Sequence, residues 1–113
     1  MQKFQDVAVE RAVAILQDKK VSDVVVLSLE EVNAFTDYFL IGSVQNSRQM
    51  EAAADALIDA FPETLHHREG YDESGWTLLD LGDVVIHLFT PEMRQYYDLE
   101  RLWGDVKQYQ MVP

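Results

Sequence analysis

The stretch from Trp76 to Gly104 reads WTLLDLGDVVIHLFTPEMRQYYDLERLWG and holds both tryptophans, His87 and a series of carboxylates. Asp80, Asp83, His87 and Glu92 are of the types that ligate a metal or move protons. Each has a simpler assignment. Asp83 suits a turn, Glu92 suits a helix start, and a hydrogen bond between Asp80 and His87 accounts for the remaining pair. Gly42-Ser43 offers a second chemistry. It follows an apolar strand and precedes a helix, where a nucleotidyltransferase turn would approach phosphate. That chemistry also needs an acid-x-acid pair for magnesium. The next acids are Glu51 and Asp55, at helical spacing, and no such pair follows. His66-His67 sits in a polar stretch and reads as solvated. The chain has no cysteine, no serine in a nucleophile elbow and no glycine-rich phosphate loop. The residues favour a binding surface over an enzyme, with no catalytic residue, cofactor or metal.

The elements that must position these residues follow from periodicity. Phe4, Val7, Ala8, Ala12, Ile15 and Leu16 give one apolar helical face, which predicts a helix from Phe4 to Asp18. VVVLSL after Asp23 predicts a buried strand, and YFLIGS after Asp37 a second, with a polar loop from Glu30 to Thr36. Asn46 or Ser47 caps the next helix, with Gln49 placed for a capping box. Met50, Ala53, Ala54, Leu57, Ile58 and Phe61 form its buried stripe, and Pro62 helps to stop it. Leu65 to Arg68 is a candidate edge strand. Thr90-Pro91-Glu92 opens a last helix running to Val106, with a possible break near Asp98. The expected order, α-β-β-α-(β)-β-β-α, is a single α/β (α+β) domain over residues 1–113 with a small mixed sheet packed with helices.

Trp76–Leu81 and Val84–Phe89 flank Gly82-Asp83, a loop suited to a type II′ hairpin. If Leu81 pairs with Val84, then Leu79 faces Ile86 and Thr77 faces Leu88. That apolar face belongs on the helices. The opposite face carries Trp76, Leu78, Asp80, Val85, His87 and Phe89. The C-terminal helix covers it or leaves it partly open, and an open aromatic patch with a polar rim is an interaction site. Trp and Tyr are common interface anchors, and Tyr97 and Trp103 follow in the tail.

The chain has 113 residues and a net charge of −11. Residues 1–23 balance Lys3, Arg11, Lys19 and Lys20 against Asp6, Glu10, Asp18 and Asp23, so the whole excess lies in residues 24–113. Such a protein is repelled by bare phosphate backbones, which argues against direct nucleic-acid binding and for a basic protein partner. No apolar run reaches membrane-span length, and MQKFQDVAVERAVAI lacks a signal-peptide core. The expectation is a cytoplasmic protein.

Trp76-Thr-Leu78-Leu79-Asp80-Leu-Gly82-Asp83-Val84-Val85-Ile-His87 and Arg94-Gln-Tyr96-Tyr97-Asp98-Leu99-Glu100-Arg-Leu102-Trp103 resemble the signature of the ribosomal silencing factor family, also called Iojap or RsfS. Asp37-Tyr38-Phe39 and Ser47-Arg48-Gln49 resemble its middle block. The resemblance implies a nucleotidyltransferase-like fold without the catalytic acids. It implies binding to the large ribosomal subunit through large-subunit ribosomal protein fourteen, which blocks joining of the small subunit and represses translation. An assembly factor for the large subunit is the alternative, and a small magnesium-dependent nucleotidyltransferase is the rival enzyme. The partner-binding residues expected are Trp76, Leu78, Asp80, His87, Tyr97, Glu100 and Trp103. The aromatic surface is more than the helices can cover, which suggests a homodimer in the absence of the ribosome.

Overall fold

The structure is a computed structural model that describes residues 6–32, 36–70 and 74–111. Its elements are α1 (Val7–Asp18), β1 (Ser22–Ser28), β2 (Tyr38–Ser43), α2 (Ser47–Ala60), β3 (His67–Glu69), β4 (Trp76–Asp80), β5 (Val84–Phe89), α3 (Pro91–Tyr97), α4 (Leu99–Leu102) and β6 (Lys107–Gln110). The six strands form one mixed sheet in the order β3-β4-β5-β2-β1-β6. Only β2 and β5 run parallel, and they sit at the centre. Both are apolar on both faces, as a strand covered from two sides must be.

One face is closed by α1 and α2. The side chain of Asp6 caps α1 by accepting from the Ala8 and Val9 amides at 2.9 and 3.2 Å. The buried stripe of α1 is Val9, Ala12, Val13 and Leu16. Val7, expected inside, is 75% exposed, and Phe4 lies outside the described residues. The helix begins at Val7, after the Asp6 cap, and its buried stripe is turned toward Val9 and Val13. Lys20, at φ 64°, ends the helix in a Schellman arrangement: its amide donates to Gln17 and that of Val21 donates to Leu16.

Asn46 caps α2 as expected, accepting from the Gln49 amide at 2.9 Å. The reciprocal half of a capping box does not form. Gln49 Oε1 accepts from the Gln45 amide, and its Nε2 donates to the Lys19 and Lys20 carbonyls at 3.0 and 2.8 Å. One side chain thus joins the start of α2 to the end of α1. Met50, Ala53, Ala54 and Leu57 are buried beneath it, with Phe61 just beyond. Gly42 is set by this packing: a Cβ there would fall 2.5 Å from Val21 Cγ1.

The hairpin register is the one expected. Leu79 pairs with Ile86 and Thr77 with Leu88, and the Leu81 amide donates to the Val84 carbonyl at 2.9 Å. Gly82 has φ 89° while Asp83 is not among the positive-φ residues, which fits a type II′ turn. The edge strand β3 lies at His67–Glu69, slightly later than expected.

The C-terminal segment breaks near Asp98, where the sequence allowed a break, but its helix stops short of the expected Val106. Asp98, at φ 50°, separates α3 from α4, and helix ends at Leu102. The chain then forms β6, which the sequence reading omitted. β6 pairs antiparallel with β1 from Ser28↔Lys107 to Val25↔Gln110. KQYQ has a single apolar residue, Tyr109, and no β-branched one, so its strand character comes from pairing at an edge.

Between β5 and β6 this segment crosses the second sheet face. Met93, Leu99, Trp103 and Val106 pack on Val25, Leu27, Leu29, Ile41 and Phe89. Arg94 holds it there. Its Nε donates to Glu100 Oε1 at 2.8 Å, and its Nη1 donates to Ser43 Oγ and to the Asp23 carbonyl, each at 2.8 Å. The Asp23 carbonyl is aimed by an irregularity in β1 between Ser22 and Val25, where Asp23 has φ 50°. Replacing Arg94 with methionine keeps the apolar stem and leaves these acceptors unpaired. Urea unfolding is expected to show a loss of about 2 kcal/mol, the scale of a half-buried charge network stripped of one partner.

Candidate functional site

The second sheet face is covered unevenly. Its β1–β2 half lies under the C-terminal segment. Toward the β4–β5 hairpin the cover ends, and Leu78, Asp80 and Val85 are half-exposed. Strand alternation puts Trp76, Leu78 and Asp80 of β4 beside Phe89, His87 and Val85 of β5.

The rings form one connected cluster. Trp76, His87 and Phe89 lie nearly parallel, with interplanar angles of 17°, 18° and 7° between the pairs. Tyr97 of α3 leans on Trp76 and Phe89 at centroid distances of 5.6 and 5.7 Å. Phe39 of β2 meets His87 edge-on at 4.8 Å and Trp103 at 5.8 Å. On the outside, Tyr96 is 76% exposed, Leu102 72% and Tyr97 43%. Such pairings fix ring orientation beyond what burial does.

All seven expected site residues thus lie on or beside this face, in different roles. Trp76 and Leu78 are half-buried on the strand, and Trp103 is half-buried against Phe39. Glu100 is committed to Arg94. His87 is 6% exposed and lies beneath the surface. The expected Asp80–His87 hydrogen bond is replaced by two others. Asp80 Oδ1 accepts from the Gly82 amide at 2.8 Å, an Asx-type closure of its own turn. His87 Nδ1 instead accepts from Trp76 Nε1 at 3.4 Å. Phe39 and Arg94 were missing from the sequence-derived site. Alternation along YFLIGS signals Phe39, whereas no local pattern signals Arg94.

Acids gather at the hairpin-turn end of the sheet. The Asp83 carbonyl at the hairpin turn accepts from the Asp37 and Tyr38 amides, each at 3.0 Å, which draws the start of β2 against the turn. The Asp37 carboxyl is pushed upward from its ordinary value by desolvation, then by the charges of Asp83, Glu30 and Asp6. The Tyr38 hydroxyl donates to Glu30 at 2.9 Å and is pushed up to about 12, first by burial and then by that bond.

Gly42-Ser43 is already occupied. Gly42 abuts Val21, and the Ser43 hydroxyl accepts from Arg94. Glu51 and Asp55 are exposed on α2. Among the described residues no group of three or more His, Asp or Glu is placed to hold a metal ion, and no helix is long and apolar enough to cross a membrane.

Fold and site together define an α+β protein with one closed sheet face and one half-open, aromatic and acid-rimmed face. A family described as "Ribosomal silencing factor during starvation" matches residues 2–112. The ribosomal silencing factor RsfS of Bacillus subtilis is 41% identical over 97 residues, covering 83% of this chain and 82% of the relative. The mouse protein named "Mitochondrial assembly of ribosomal large subunit protein 1" is 32% identical over 101 residues, covering 84% of this chain and 44% of the relative. A crystal structure from Bacillus halodurans superposes with a TM-score of 0.77 at 35% identity, covering 91% of this chain and 96% of the other. One from Chromobacterium violaceum does so at 0.79 and 28% identity, covering 94% and 91%. The chain belongs to the ribosomal silencing factor family, a family of ribosome-associated translation regulators.

The burial of His87 has a measurable consequence. Desolvation, with no charged neighbour contributing, lowers its pKa from the ordinary 6.5 to about 4. The ionisable groups of β4, α3 and α4 are Asp80, Glu92, Arg94, Tyr96, Tyr97, Glu100 and Arg101, of which Arg94 and Glu100 pair with each other. The folded state therefore binds fewer protons than the unfolded chain between these values. Stability from this residue is full above pH 6.5 and falls as pH drops toward 4. Urea unfolding at pH 7 and pH 5 should differ by about 2 kcal/mol more in the wild type than in His87→Leu.

Proposed function

We propose that this protein binds the large ribosomal subunit through a basic ribosomal protein and prevents the small subunit from joining. Large-subunit ribosomal protein fourteen is the partner implied by the family resemblance. The half-open face is the docking site, with Trp76, Leu78, Asp80, Tyr97 and Trp103 as contacts and His87 and Glu100 supporting them. The observation that carries this reading is an apolar, ring-ordered strand face that bears Asp80, with further acids at the hairpin-turn end of the sheet, in a chain of net charge −11. Aromatic anchors supply affinity and the acids attract a cationic partner. The same charge repels ribosomal RNA, so a protein foothold is required. Occupying the contact surface needs no reaction, and Ser43 is engaged structurally by Arg94.

Sedimentation of purified subunits tests the silencing step. Excess protein is expected to deplete coupled particles and to co-sediment with the large subunit. Coupled particles undiminished by that excess contradict the proposal, and binding confined to immature large particles favours the assembly role. Trp76→Ala and Leu78→Ala should each weaken binding, the tryptophan by about 2 kcal/mol. Asp80→Asn should act chiefly through the on-rate and its salt dependence.

The exposed Tyr96, Tyr97 and Leu102 support a two-fold dimer that shields them when no ribosome is bound. Light scattering over a wide concentration range should show mass rising above the 13.0 kDa of one chain. A constant single-chain mass rules the dimer out.

A further inference from the structure

His87 is a costly residue for its place. Leu78 lies directly across from it on β4 and Ile41 on β2, and Phe39 covers it edge-on. Trp76 Nε1 can only donate, so the contact at 3.4 Å makes His87 Nδ1 the lone-pair nitrogen. The proton of the neutral imidazole then sits on Nε2. That atom is buried without a hydrogen-bond partner. A leucine or phenylalanine would fill the same apolar space without burying an unpartnered N–H. What neither could do is accept the indole N–H of Trp76.

The surrounding geometry shows what that acceptor achieves. The indole lies within 18° of parallel to both the imidazole and the Phe89 ring. Tyr97 leans on it from α3. Ring contacts set the tilt of the indole but leave it free to flip about its Cβ–Cγ bond and so to choose which edge it presents. A hydrogen bond at Nε1 removes that freedom. The indole is half-buried, so part of its surface reaches solvent in one defined orientation.

We propose that His87 is a positioning residue of the docking face, whose Nδ1 fixes the indole of Trp76 in the orientation that receives the partner. This rests on the reading that Trp76 is an anchor of that face. The effect is preorganisation: a ring ordered before docking loses less freedom on binding. His87 itself stays beneath the contact surface. An aromatic anchor of ordinary chemistry is thereby given a fixed direction by a residue that no partner touches.

The experiment joins indole N–H exchange in the free protein to affinity for purified large ribosomal subunits. In the wild type the Trp76 Nε1 proton should exchange slowly with water. His87→Leu should speed that exchange at least tenfold and weaken subunit binding about tenfold, at a neutral-pH melting temperature equal to or above wild type. His87→Gln, which restores a side-chain oxygen, should recover part of both. Trp76→Phe, which keeps a ring and loses the N–H, should bind weakly too, and adding His87→Leu to it should cost nothing further. Unchanged exchange and affinity in His87→Leu overturn the proposal. So does a binding loss of the same size in the Trp76→Phe background, which assigns His87 to general packing. Should His87→Leu fail to fold, His87→Gln and Trp76→Phe carry the comparison. A wild-type protein with slow indole exchange that does not bind large subunits overturns the docking reading itself, whereas fast exchange with normal binding overturns only the positioning role.

Discussion

The Arg94 guanidinium is the interaction on which the second half of this molecule depends. Its three partners belong to α4, to the end of β2 and to the start of β1, all far apart in sequence. The segment it holds is short of intrinsic stability. α3 has seven residues and α4 four, too few to persist alone, and neither contains a fully buried residue. Their order is therefore tertiary. A lysine could not serve equally, because the planar fork supplies separate donors in fixed directions to a carboxylate, a hydroxyl and a carbonyl. The irregularity at Asp23 is part of the same device, since it turns a strand carbonyl out of the ladder toward the guanidinium.

The two sheet faces divide the work. The face under α1 and α2 is filled by residues such as Leu16, Leu40, Leu57 and Ile86, all at zero exposure, and it supplies most of the core. The other face is a smaller cluster with Phe39, Trp76 and Trp103 at its margin. Rings suit a surface that is half covered, because a large rigid side chain can be packed along one edge and exposed along the other. Buried firmness on one side is what allows incompleteness on the other.

Much of this was legible in the sequence for physical reasons. Alternation in WTLLD and VVIHLF fixes which residues share a face, and Gly82-Asp83 fixes the register, so the site strand could be laid out residue by residue. Asn46 and Thr90 announce helix starts because their side chains answer local amides. What could not be read is what depends on distant partners. β6 is a strand because β1 offers an open edge, not because KQYQ prefers extension. Arg94 meets Ser43 and Asp23 only through the fold. The pairing of His87 with Trp76 in place of Asp80 turns on side-chain directions, and a two-residue period cannot distinguish neighbours on the same face.

The outer position of β6 bears on how the chain is made. β1 is synthesised well before its neighbour on one side, with Val25 paired to Gln110. Closing so long a loop is slow, and it cannot occur while the C-terminal segment is still inside the exit tunnel. Until then Leu27, Ile41 and Phe89 have no cover on their second face. The nascent chain thus passes through an interval with its aromatic face bare, and for that interval depends on whatever shields apolar surface at the tunnel mouth.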